Sequence, residues 1–222
     1  MDDHTRTGRW TGAAYLGLAA FGMAGFLAVR PLAAESTGLA QLGVALELAI
    51  VLTQALAAVG FFALFHRDRP VAAFAVAAFG MGNALAVLGS AAMLTAALAV
   101  TFDPQGADAA GADAVPLLRM TADAFWTVGA VFFGLWLIPM GWFAIATRRL
   151  PRVLGWILVA GGVGYVLDAV LSSALPATLG AIADILAIPA TIGELWMIGY
   201  LLIRGIRPRS VSPAVTLQTS AG

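Results

Sequence analysis

The segment VAAFAVAAFGMGNALAVLGSAAMLTAALAVTF, residues 71–102, contains no charged side chain and decides the class of fold. An α-helix rises about 1.5 Å per residue, so about 20 apolar residues are enough to cross the hydrocarbon of a bilayer. The segment exceeds that length and is apolar on every side, which is typical of a helix that faces lipid. We therefore interpret it as a membrane span.

The rest of the chain repeats this pattern. Comparable apolar runs lie near residues 10–29, 39–65, 115–146, 153–175 and 178–203. The 222 residues are 61% hydrophobic and only 11% charged, whereas about a quarter of a soluble domain is charged. The sequence predicts an all-α membrane protein, with six transmembrane helices in one bundle over residues 1–207. Residues 208–222 are polar and predict a disordered cytoplasmic tail.

The arginines predict the orientation of this bundle, because cytoplasmic loops are enriched in basic residues. Two of them, Arg30 and Arg119, lie at or just inside span ends on one side of the membrane. The other ten fall on the opposite side, namely Arg6, Arg9, Arg67, Arg69, Arg148, Arg149, Arg152, Arg204, Arg207 and Arg209. Both termini are therefore expected in the cytoplasm, with the protein in the inner (plasma) membrane.

Several function classes are excluded by residues that the chain lacks. It has no Lys, so it cannot form a retinal or pyridoxal Schiff base, and no Cys, so it has no thiol chemistry. A net charge of zero gives no indication of nucleic-acid binding. No G-x-S-x-G or H-E-x-x-H motif is present. We expect no cofactor and no metal; the expected partners are membrane lipids, in particular headgroups at Arg148, Arg149 and Arg152.

Polar residues inside the spans are the candidate functional residues, because an ionisable side chain costs about 2.5–3.5 kcal/mol on insertion at the centre of a helix. Asp168 lies in the outer half of the fifth span, and Glu194 lies past the midplane of the sixth. Glu47 lies in the outer half of the second span. Gln54 and Asn83 fall near the midplane.

The outer half of the bundle is expected to hold more acids than bases. Arg119 and Asp123 are four residues apart on one helix face and can form an ion pair. Asp184, like Asp123, lies in the first turns of its span, where an interfacial role is the simpler interpretation. The remaining carboxylates must take up a proton, bind a cation or contact water.

A pattern in the last third of the chain resembles a known family. It comprises Phe132-Phe133-Gly134, then Leu150-Pro151-Arg152-Val153-Leu154-Gly155, then Ala160-Gly161-Gly162-Val163-Gly164-Tyr165 with Asp168, and finally Ile188-Pro189-Ala190 before Gly193-Glu194. Between about residue 130 and Gly205 it is similar to a bacterial membrane-protein family known as domain of unknown function 4386. The first two spans match in general character only. The resemblance implies a membrane fold and draws attention to Arg152, Tyr165, Asp168 and Glu194, but it assigns no activity.

The leading functional hypothesis is a polar, acidic cavity, open to the extracytoplasmic side, that binds or transports a small or amphipathic ligand, for example a cation. Its expected ligand-binding residues are Glu47, Gln54, Asn83, Tyr165, Asp168, Asp184 and Glu194. One alternative is a non-catalytic scaffold or accessory subunit in which the acids pair within the bundle. Another is an intramembrane enzyme in which two carboxyls, or a carboxyl and Tyr165, converge on one pocket.

Overall fold

The computed structural model describes residues 3–33, 36–102, 111, 113–174 and 180–207, with the backbone alone at residues 3, 4, 174 and 180–187. That part of the chain is helical and contains no strand. Its six long helices are α1 (Asp3–Met23), α2 (Thr37–Phe65), α3 (Pro70–Phe102), α4 (Ala114–Thr147), α5 (Arg152–Ala174) and α6 (Gly180–Arg204). The all-α prediction is confirmed.

Five stretches are long and apolar enough to cross a membrane. They are Thr5–Leu32, Thr37–Phe65, Pro70–Phe102, Ala114–Thr147 and Arg152–Ser173. Each coincides with one of the apolar runs in the sequence. The sixth run coincides with α6, and the predicted tail over residues 208–222 lies outside the described residues.

Local chemistry explains where the helices begin and end. The side chain of Ser36 accepts a hydrogen bond of 3.2 Å from the backbone N–H of Leu39 and so caps α2. Pro70 begins α3, where its missing N–H costs nothing. Arg148 ends α4 in the left-handed conformation, with φ of 55°.

The end of α1 departs from the regular helix that the sequence predicts. The chain continues from Met23 as a π-helix over Ala24–Val29 and then as a 3₁₀ turn over Arg30–Leu32. Pro31 follows the arginine directly. A π-helical segment places side chains on a different face from an α-helix of the same length, and such segments are frequent at functional sites. Here it determines where the Arg30 side chain lies.

The six helices form a closed ring. Each helix packs against the next one along the chain, and α6 packs against α1. One end of the ring, the arginine-rich end, gathers residues 5–9, 66–69, 148–151 and 204–207. The opposite end contains Arg30 and the first turns of α4 and is called the Arg30 end.

Glycines allow α4 and α5 to pack with their backbones in contact. A Cβ atom added at Gly134 would lie 2.6 Å from the carbonyl oxygen of Gly162, and one added at Gly162 would lie 2.7 Å from that of Gly134. Gly141, seven residues after Gly134, and Gly155, seven residues before Gly162, face each other in the same way. Small residues at such a seam let membrane helices approach closely.

Candidate functional site

Aromatic side chains fill the interior of the ring in its arginine-rich half. The rings of Phe65 in α2 and Phe143 in α4 stack with centroids 3.6 Å apart. Nearer the middle, Tyr15 in α1 packs edge-on against Trp136 in α4, with centroids 5.2 Å apart. Phe61 contacts both of these rings. These side chains are almost completely buried, so the ring of helices is closed at this end.

A cavity of about 930 Å³ lies beyond this aromatic layer, toward the Arg30 end. All six helices contribute to its wall. Its polar lining residues are Tyr15, Arg30, Asn83, Asp123, Thr127, Tyr165, Asp168, Ser172, Thr191 and Glu194. Most of the remaining lining is apolar.

Glu194 lies at the inner wall of this cavity. The hydroxyl of Tyr15 donates a hydrogen bond of 2.6 Å to its Oε1 atom. One helical turn earlier, the side chain of Thr191 is hydrogen-bonded to the hydroxyl of Tyr165. No arginine of the described part of the chain lies within 4 Å of the Glu194 carboxylate.

Asp168 lies on α5 and borders the same cavity. Its carboxylate accepts a hydrogen bond of 2.8 Å from the hydroxyl of Ser172, one turn further along the helix. Within the described ranges it forms no ion pair. Three of the residues that the sequence singled out, Tyr165, Asp168 and Glu194, thus line one space together with Asn83.

Arg30 forms the ion pairs at the other end of the cavity. Its Nη1 atom lies 2.6 Å from Oε1 of Glu47 in α2, and its Nη2 atom lies 2.5 Å from Oδ1 of Asp123 in α4. The indole N–H of Trp126 donates a further bond of 3.0 Å to Glu47. The structure pairs Asp123 with Arg30 at the π-helical end of α1, and the predicted Arg119–Asp123 pair is not among the ion pairs of the described residues.

Gln54 does not line the cavity. Its side chain is completely buried, and neither atom of its amide has a hydrogen-bond partner among the described residues. It lies where α2 meets Gly80 of α3, close to Trp136. A packing role between helices fits this position better than ligand binding. The side chain of Asp184 lies outside the described residues.

The three arginines proposed to bind lipid headgroups occupy different environments. Arg149 is only 4% exposed; it pairs with Asp68 at 2.5 Å, and its Nε atom donates to the backbone oxygen of Arg207. The guanidinium of Arg149 joins two turns inside the protein and is largely inaccessible to a headgroup. Arg148 and Arg152 are exposed, and their prediction stays untested.

Sequence reasoning missed Tyr15 and did not specify the partners of Arg30. A single tyrosine in an apolar helix gives no signal of its own. The sequence marks Arg30 as one of two arginines on the predicted outer side, but its two carboxylate partners depend on the π-helical segment.

The fold and these polar contacts define a multi-pass helical membrane protein. The chain belongs to the family described as domain of unknown function DUF4386, whose model matches residues 10–205. The match extends over all six helices, whereas the resemblance in the sequence was specific only from about residue 130. No curated protein and no solved structure matches the chain.

Proposed function

We propose that this protein spans the inner (plasma) membrane six times, with both termini in the cytoplasm. The arginine-rich end would then face the cytoplasm, as basic loops do. Helix α6, with 25 residues, is about 37 Å long at 1.5 Å per residue, which is sufficient for a span. Its packing between α5 and α1 supports a membrane position, because its neighbours are apolar spanning helices.

In this orientation the cavity lies in the outer half of the membrane, and we propose that it binds or moves a small or amphipathic cation. One observation carries the proposal: Asp168 and Glu194 border the cavity, and neither has a cationic partner in the described chain. Among the described residues, Arg30 is the one cation on the cavity wall, and it is already shared between Glu47 and Asp123. A bound cation would supply the missing charge.

The size and the apolar lining of the cavity favour an amphipathic ligand. Ligand pockets commonly enclose about 300–1,000 Å³ and are lined mainly by apolar and aromatic side chains. A cavity of about 930 Å³ is at the upper end of that range. Tyr15, Trp126, Phe133 and Tyr165 contribute aromatic rings to the wall, and such rings attract cations through their faces.

The test compares two probes of the same shape and opposite charge. Purified protein is titrated calorimetrically with tetraphenylphosphonium and with tetraphenylborate. The phosphonium should bind more tightly, and Asp168→Asn or Glu194→Gln should each weaken it about tenfold, since an ion pair at 4 Å contributes about 1–4 kcal/mol outside the deep interior. The exposed Asp113, outside the cavity, provides the control Asp113→Asn, which should leave the affinity unchanged.

The proposal fails if both cavity variants fold normally and bind the phosphonium as well as the unaltered protein does, or if the borate binds equally well. A scaffold role would then be favoured, because each of four acids of the spanning helices, Glu47, Asp123, Asp168 and Glu194, already accepts at least one hydrogen bond.

An intramembrane enzyme is the other alternative. Tyr165, Asp168 and Glu194 border one cavity, which is the convergence that such chemistry requires. Cleavage or rearrangement of a ligand during the titrations, seen by mass spectrometry and lost in both carboxylate variants, would favour catalysis over simple binding.

A further inference from the structure

The guanidinium of Arg30 occupies a site built from three separate parts of the chain. One carboxylate comes from Glu47 on α2, at 2.6 Å, and another from Asp123 on α4, at 2.5 Å. Two donors of the guanidinium, Nε and Nη2, converge on the Asp123 Oδ1 atom. Because the fork of a guanidinium is planar and carries five donors, two carboxylates on different helices can bind it at once.

Aromatic rings complete this site. The centre of the guanidinium lies 5.7 Å from the ring centroid of Trp126 and 6.0 Å from that of Phe26. Both distances are within the range of about 6 Å over which a cation is attracted by an aromatic face. The two carboxylates and two rings are called the guanidinium cage below.

The cage lies at a boundary between two spaces. Asp123 and the two rings border both the large cavity and a smaller pocket of about 140 Å³ at the Arg30 end, as Arg30 does, whereas Glu47 lines only the smaller pocket. Thr101, near the end of α3, lines the smaller pocket. The Arg30 side chain therefore lies between the large cavity and the smaller pocket.

We propose that the guanidinium cage is a binding subsite for a ligand with a guanidinium or amidinium head group, and that Arg30 is its tethered occupant. A ligand entering from the Arg30 end would displace the arginine side chain. The planar head group of the ligand would then bind in the cage, and its apolar part would extend into the large cavity. This inference rests on the proposed function, since it specifies the head group of the cation that the cavity binds.

The π-helical segment gives the arginine a route out of the cage. Hydrogen bonds in a π-helix join residues five apart instead of four, so return to α-helical pairing shifts the register by one residue. On a helix of 3.6 residues per turn, one residue corresponds to about 100°. If the π-helical pairing over Ala24–Val29 changed to α-helical pairing, Arg30 would turn away from Glu47 and Asp123.

Chemical rescue tests the cage. Arg30→Ala empties it and should lower the melting temperature of the purified protein. Ethylguanidinium should raise it again, by about 3 °C at ten times its Kd. The neutral N-ethylurea, which has nearly the same shape, should have no effect, and propylammonium should be weaker because it lacks the planar fork. If Arg30→Ala does not yield folded protein, Arg30→Gln takes its place with the same expectation.

The double variant Arg30→Ala/Asp123→Asn is the matched control and should lose the rescue. Equal effects of ethylguanidinium and N-ethylurea, or an undiminished effect in the double variant, would overturn the cage. Rescue in Arg30→Ala without phosphonium binding by the unaltered protein would support the cage and contradict the proposed cavity function. Phosphonium binding without rescue would do the reverse.

Discussion

The hydroxyl of Tyr15 in α1 donates a hydrogen bond of 2.6 Å to the carboxylate of Glu194 in α6, joining residues 179 positions apart. This contact links the first and last helices, the pair that closes the ring. It also fixes the carboxylate at the inner wall of the cavity, directly above the aromatic layer to which the Tyr15 ring belongs. One side chain therefore serves both the closure of the fold and the position of the candidate site.

Tyr15→Phe is expected to destabilise the protein by about 1–2 kcal/mol, because it removes this hydrogen bond and keeps the packing of the ring. The melting temperature in detergent should fall by about 4 °C. Tyr200→Phe is the control, since the Tyr200 hydroxyl makes no hydrogen bond with another described residue. Equal melting temperatures for the two variants would mean that the Tyr15–Glu194 bond does not hold the ring closed.

Gly134→Ala and Gly162→Ala should each cost about 1–3 kcal/mol, because the added methyl group would overlap a carbonyl oxygen of the facing helix. At Gly199 of α6 no atom lies within 4 Å of an added Cβ. Gly199→Ala should therefore be neutral or stabilise by about 0.5–1 kcal/mol through helix propensity. Thermal unfolding of the three variants measures this difference, and a ranking with Gly199→Ala as the most harmful would contradict the packing of α4 on α5.

Asp68→Asn should destabilise the arginine-rich end by about 3 kcal/mol, since it leaves the buried Arg149 guanidinium without its carboxylate. Arg148→Gln changes the neighbouring arginine, which is exposed, and should have little effect. Differential scanning fluorimetry compares the two. A similar loss in both would indicate that general charge at this end, and not the Asp68–Arg149 pair, is what stabilises it.

The helices of this protein could be predicted closely because membrane insertion depends on apolar length, a property of the sequence alone. The run at residues 39–65 became α2 (Thr37–Phe65), and that at 115–146 became α4 (Ala114–Thr147). The end of α1 could not be predicted in the same way. A π-helix differs from an α-helix in hydrogen bonding and not in composition, so Ala24–Val29 reads as ordinary apolar sequence.

The candidate site was predictable in part for a related reason. A carboxylate in an apolar segment is conspicuous, which is why Asp168 and Glu194 were identified and why both border the cavity. Their partners depend on rotation about each helix axis. Apolar helices give little periodicity from which to read that rotation, so the Tyr15 contact was missed and Asp123 was assigned to Arg119 instead of Arg30.

The chain contains no cysteine, so single-cysteine variants can test the proposed orientation without background labelling. Asp113→Cys, next to the start of α4, should react with a membrane-impermeant maleimide on intact cells. Arg67→Cys, in the turn between α2 and α3, should react only after the membrane is permeabilised. The opposite labelling pattern would mean that the topology is inverted. Labelling of both cysteines from outside would exclude an odd number of spans between positions 67 and 113.

The most direct test of the central claim, an acidic cavity that opens outward, is the labelling rate of a cysteine inside it. Ala130 of α4 lines the cavity, whereas Val128 on the same helix is 60% exposed and outside it. In Ala130→Cys, a cationic methanethiosulfonate added to intact cells should react much faster than an anionic one, and Val128→Cys should react with neither. Equal rates for the two reagents at Ala130→Cys, or no reaction at all from outside, would contradict the account.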